Sequence, residues 1–142
     1  MKYWHYCIDL GLIAVFSIAL ATEKSLAALP LQEGVYHGGG SRYIQIAQKA
    51  NIICFKGFSP NGVTVASVTA DPIRQNSYKI NGFDGIVLRQ QDKDTLFFGP
   101  ANQLIKYIEN SGFSRDLDSD LQQCLNSQKP FFKQKSGGRN AR

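Results

Sequence analysis

Residues 43–66, YIQIAQKANIICFKGFSPNGVTVA, decide the fold. Three short runs alternate along this stretch. Ile44 and Ile46 alternate with Tyr43 and Gln45, Ile53 and Phe55 with Ile52, Cys54 and Lys56, and Val63 and Val65 with Thr64 and Ala66. A period of two places one set on each face of a pleated strand, and β-branched and aromatic residues suit a half-buried sheet. Between the runs stand Gln48 to Asn51 and Ser59-Pro60-Asn61-Gly62, residues that tolerate positive φ or preset a turn. Connections this short make neighbouring strands antiparallel, because a parallel crossover needs about a dozen residues or more.

The pattern continues outward. Tyr78 and Ile80 run into Asn81 to Gly85, Ile86 to Gln90 form another run, and Gln91 to Asp94 make a polar turn before Thr95 to Phe98. Only the connection from Thr69 to Asn76 is longer, with a bend at Asp71-Pro72. From Val35 to Gly99 the spacing predicts six or seven strands in an antiparallel meander, a small barrel or a sandwich.

After Pro100 the period changes. Leu104, Ile105, Tyr107 and Ile108 follow helical spacing with Gly112 as a stop, so the 101–111 segment reads as a helix or as an edge strand. Leu117, Leu121, Cys124 and Leu125 occupy one face of a second helix, with Ser114 as its N-cap and Asp116, Asp118 and Asp120 at the positive end of its dipole. The fold class expected is therefore all-β or α+β, a meander followed by one or two C-terminal helices.

Both ends read differently. Residues 10–21 are apolar apart from Gly11 and Ser17, too short at ~1.5 Å per residue to cross a ~30 Å hydrocarbon core. With small residues at Ser25 and Ala27, and at Ala19 and Ala21, residues 1–27 read as a signal peptide. The expectation is an exported protein, periplasmic or extracellular, with no membrane span after cleavage. Cleavage after Ala21, Ala27 or Ala28 fits, and an uncleaved anchor is the alternative. Residues 28–127 then form a single β-rich domain, large enough for a modest core.

The net charge of +5 belongs to the last stretch. Residues 28–127 carry nine basic and nine acidic side chains, whereas 128–142 carry Lys129, Lys133, Lys135, Arg139 and Arg142 with no acid. Residues 128–142 read as a basic disordered tail, and a neutral body argues against a nucleic-acid partner. Of three cysteines only Cys54 and Cys124 lie beyond the signal, and an oxidising compartment favours their pairing.

Few motifs carry chemistry. His37-Gly38-Gly39-Gly40 resembles an esterase oxyanion-hole loop, but there is no Gly-x-Ser-x-Gly elbow and no second histidine beyond the signal to act as base. Asp116, Asp118 and Asp120 open like a calcium loop, yet its sixth position is Leu121 and its twelfth is Ser127. No metal site and no cofactor is expected, since one histidine and two paired cysteines cannot build a transition-metal cage. The run from Gly38 to Tyr43 is similar in passing to the serine–tyrosine loop of periplasmic lysozyme inhibitors. Its place at the start of the sheet differs from that family's, so the likeness assigns nothing. His37, Ser41, Arg42 and Tyr43 remain as a candidate binding loop, with no catalytic residue named.

The expected function is a non-catalytic, monomeric binding domain for a small ligand, an envelope polymer or a protein. An inhibitor of a secreted hydrolase, acting through the loop from His37 to Tyr43, is the alternative. A hydrolase using carboxylates such as Asp84, Asp92 or Asp94 is a third reading, which the lack of tryptophan platforms beyond the signal disfavours. A cavity inside the sheet would favour ligand binding, a filled interior with a protruding loop inhibition, and paired carboxylates in a cleft hydrolysis. Export has a direct readout, because Trp4 is the only tryptophan. Protein recovered outside the cytoplasm should show tyrosine emission alone, and tryptophan emission there would mean that the leading segment is retained.

Overall fold

A computed structural model describes residues 30–137, so the proposed signal peptide lies outside the described residues. The meander is longer than the sequence pattern indicates. Its strands are β1 (Gly34–His37), β2 (Tyr43–Lys49), β3 (Ile52–Ser59), β4 (Gly62–Ala70), β5 (Ser77–Ile80), β6 (Ile86–Asp92), β7 (Thr95–Pro100) and β8 (Ile105–Glu109). Each pairs antiparallel with the next, and β8 returns to β1 through Tyr36↔Glu109 and His37↔Ile108. Eight strands thus close an up-and-down barrel, which settles barrel against sandwich.

The alternation sorts residues as a barrel requires. Tyr36, Ile44, Ile46, Phe55, Ala66, Val68, Leu88, Leu96 and Tyr107 meet in the interior. The 101–111 segment is not a helix but contains β8. Ile105 and Tyr107 pack with the core, whereas Ile108 is exposed. An offset-two pair fits a strand as well as it fits part of a helical set, and pairing with both β7 and β1 decides between them.

Among the described residues one helix remains, α1 (Ser119–Asn126), on the outside of the barrel over β2, β3 and β4. Its cap is Asp118, whose side chain accepts from the Leu121 amide, rather than Ser114. The helix therefore starts later than expected, and Leu117 lies before it, 42 % exposed. Leu121, Cys124 and Leu125 pack on Ala47, Cys54 and Val65, the outward residues of three strands. Cys54 and Cys124 are disulfide-bonded, with Cα atoms 6.2 Å apart. Lys56, nearly buried beside Cys54, pairs with Asp118 at the helix start.

The expected disordered tail instead contains a ninth strand, β9 (Phe132–Ser136), antiparallel to β4 from Gly62↔Ser136 to Ala66↔Phe132. Its physical reason is an uncovered edge. β5 reaches β4 only at Val68, Thr69 and Ala70, leaving the amides and carbonyls of the other half of that edge for another partner. Ser67 marks the changeover: its N–H donates to the Phe131 carbonyl and its carbonyl accepts from Asn81. Gly62 permits the closest approach, with φ +143° and a Cβ that would stand 2.2 Å from the Lys135 carbonyl oxygen. Outward-facing Lys133 and Lys135 both reach Asp120 of α1, at 2.7 and 2.6 Å. Two charges of the basic stretch are thus used within the fold.

These attachments make two predictions. The disulfide closes a loop of 70 residues, for which chain entropy gives about 4 kcal/mol. Urea unfolding of the Cys54→Ala/Cys124→Ala protein should lose a sizeable part of that, and a loss below about 1 kcal/mol would mean that packing and ion pairs hold the helix alone. The second concerns acid. The hydrogen bonds from Lys133 and Lys135 lower the Asp120 carboxyl from 3.8 to about 2. A depressed folded-state value contributes stability above the unfolded value, and that contribution disappears as pH falls from about 4 to about 2. Thermal melts across that window should fall more steeply for the native protein than for Asp120→Asn, and equal slopes would rule the clasp out.

Candidate functional site

The barrel's two ends are built differently. The turns β2–β3, β4–β5 and β6–β7 lie at one end, which the leading residues close. Leu31, 3 % exposed, joins the core there. Its carbonyl accepts from Gln48 Nε2, the Gln32 amide donates to Gln90 Oε1 at 3.1 Å, and the Tyr36 hydroxyl donates to the Gln32 carbonyl at 2.9 Å. Glutamines and a tyrosine thus satisfy the backbone of the segment that stoppers the barrel.

The opposite end carries the β1–β2, β3–β4, β5–β6 and β7–β8 connections, and it is open. A cavity of about 340 Å³ enters the barrel there. Its walls include Ile44, Phe55, Phe98, Ile105 and Tyr107 from four strands, and its rim includes Arg42, Asn61, Thr64, Phe83 and Gln134. Phe55 stacks on Phe98 with ring centres 5.4 Å apart, and Phe98 meets the Tyr107 ring edge-on at 6.0 Å. The space has a local cause. At Gly57 and Gly38 the inward series lacks a side chain, and the rings of Phe55 and Tyr107 lie against those glycines at 2.7 and 2.4 Å from where a Cβ would be. Rings folded back onto the wall leave the mouth free. β9 completes that wall: Gln134 lines the cavity, and Phe132 covers Gly82 and meets Phe83 edge-on at 5.8 Å.

The four loop residues are not gathered at one point. Arg42 shares the inward parity of Ile44 and lies on the cavity rim, which Tyr43 also borders. His37 is on the outer face, stacked on Tyr43 at 4.7 Å, and Tyr43 in turn meets Phe113 edge-on at 4.7 Å. A second, shallower depression beside β8 takes His37 with Lys106 and Glu109. Ser41 is exposed at the tip of the hairpin. The loop is tight: Gly38 N donates to the Arg42 carbonyl at 3.0 Å, Arg42 N to the Gly39 carbonyl at 3.2 Å, and His37 Nε2 lies 3.0 Å from the Gly40 carbonyl. Gly39 and Gly40 take φ +93° and +57°, which explains two of its three glycines.

Among the described residues no acidic side chain lines the cavity. Asp92 and Asp94 belong to the β6–β7 turn at the closed end, whereas Asp84 sits in the β5–β6 loop at the other. The Asp92 carboxyl is lowered, first by the Asp94 amide, which is the behaviour of a turn residue rather than of a catalytic acid. Among the described residues no group of three histidine, cysteine or acidic side chains could hold a metal ion. No helix among them is long and apolar enough to cross a membrane.

The cavity residues that sequence reasoning missed are Phe55, Phe98, Ile105 and Tyr107, whose alternation reads as ordinary core. The available signal was Gly57, a glycine in the inward series of a strand that otherwise fills the barrel. Comparison with protein-family models, with curated proteins and with solved structures finds no match to this chain.

Proposed function

We propose that this protein is a non-catalytic, exported binding domain that takes a small, largely apolar molecule into the open end of its barrel. One observation carries the reading: the barrel is stoppered at one end and hollow at the other. Cavities of ~300 Å³ and upward, with aromatic walls and a few polar groups, are the usual form of small-molecule sites, and the 340 Å³ here meets that description. Export is supported by the disulfide, which persists in oxidising compartments, and by the short apolar run at residues 10–21.

The hydrolase reading has no support from the placement of Asp84, Asp92 and Asp94 at opposite ends. The inhibitor reading would need a loop that enters another protein's cleft, and the β1–β2 loop is a five-residue turn bonded back on itself.

Thr64 faces the cavity from β4, so Thr64→Phe should fill the mouth without disturbing the core beneath. Methyl NMR of Ile44 and Ile105 against a panel of small ring compounds should give shifts confined to the mouth, lost in Thr64→Phe. If no compound moves these signals, while a secreted hydrolase is inhibited in a manner that depends on Ser41 and Tyr43, the inhibitor reading replaces this one.

A further inference from the structure

Among the described residues the mouth contains one formal charge and nothing to balance it. Arg42 stands on the rim, and the guanidinium forms neither an ion pair nor a hydrogen bond among the described residues. Just below it is Tyr107, 4 % exposed, whose ring lies flat against Gly38. Gly38 is hydrogen-bonded to Arg42 across the hairpin, so the phenol end of Tyr107 and the root of Arg42 are neighbours. The Tyr107 hydroxyl has no hydrogen-bond partner among the described residues, although the residue as a whole is buried. The hydroxyl is not one of the buried unpaired polar atoms, so it is open to the cavity's solvent and free to donate to a ligand there.

We propose, building on the binding function above, that the cavity selects a ring-bearing carboxylate. The ring packs on Phe55, Phe98 and Tyr107, and the carboxylate meets the Arg42 guanidinium and accepts from the Tyr107 hydroxyl. A guanidinium presents paired donors that match the two oxygens of a carboxylate, and a phenol supplies the single further donor such a group can use. The electrostatics agree. Burial raises the Tyr107 phenol above its ordinary value, with the positive charge of Arg42 acting against it, so it remains a protonated donor at neutral pH. With no acid on the wall, a bound cation would face only repulsion.

Two probes of one shape separate this inference from the reading beneath it. Calorimetric titration of the purified full chain at pH 7 would compare 3-phenylpropanoate with 3-phenylpropan-1-ol. The acid should bind at least about tenfold more tightly, as charge-assisted hydrogen bonds in a sheltered site allow. Arg42→Gln, at an exposed position, should bring the acid down to the level of the alcohol and leave the alcohol within about twofold. Arg42→Lys should retain part of the preference, and Tyr107→Phe should reduce it without abolishing it. Equal binding of acid and alcohol by the native protein would overturn the anion preference and leave the apolar cavity standing. Binding of neither would remove both.

Discussion

A closed barrel has no free edge only where every strand reaches its neighbours along its whole length, and β5 does not. Its four residues cover one end of β4 and leave the other end open, on the side of the mouth. The rest of the molecule is arranged around that shortfall. The chain leaves β8, crosses the outside of the barrel as α1, and returns as β9 to pair with the uncovered part of β4. The helix can deliver β9 there because the disulfide holds it over β3, and Asp120 receives the two lysines of the returning strand. What encloses the cavity on that side is thus the last described element, held from outside.

The same arrangement explains why the barrel is hollow at one end only. At the closed end the space between strands is taken by Leu31 and a set of glutamine hydrogen bonds, which suit a segment whose backbone must be satisfied without a strand partner. At the mouth the corresponding space is bounded by rings lying back on glycines and by a strand whose inward residues are Phe132 and Gln134. The apolar floor and the sparse polar rim follow from that asymmetry rather than from any one motif.

Much of this is written in the alternation of residues 43–98. The turns are short, the inward residues are β-branched or aromatic, and the two cysteines fall on the outer face of a strand and the inner face of a helix. Where the reading failed, local pattern was ambiguous and a distant partner decided. Ile105 and Tyr107 fit a helix or a strand until β1 is brought alongside to close the barrel. Residues 132–136 look solvated because all but Phe132 are lysine or polar, and only the bare edge of β4 and the acid at Asp120 make them a strand. The acids before Leu121 attract attention as a calcium loop, but Asp118 and Asp120 are spent on a helix cap and on three lysines. Of the four candidate loop residues, Arg42 and Tyr43 border the cavity. The cavity itself was not legible in the sequence, since an inward phenylalanine that lines a void and one that fills a core give the same letters.

The disulfide also has a mechanical meaning. It ties together two points 70 residues apart, so a pull on both ends of the chain bypasses everything between them. Five strands and most of β3 lie inside that covalent ring, and roughly 240 Å of extended chain is withheld from stretching. Only β1, β2, the start of β3 and β9 can be drawn out, peeled from the barrel like the loose ends of a tied parcel. Tension along the chain would therefore unmake the stopper at one end and the strand that walls the mouth at the other, while the knot and the strands it encircles stay tied.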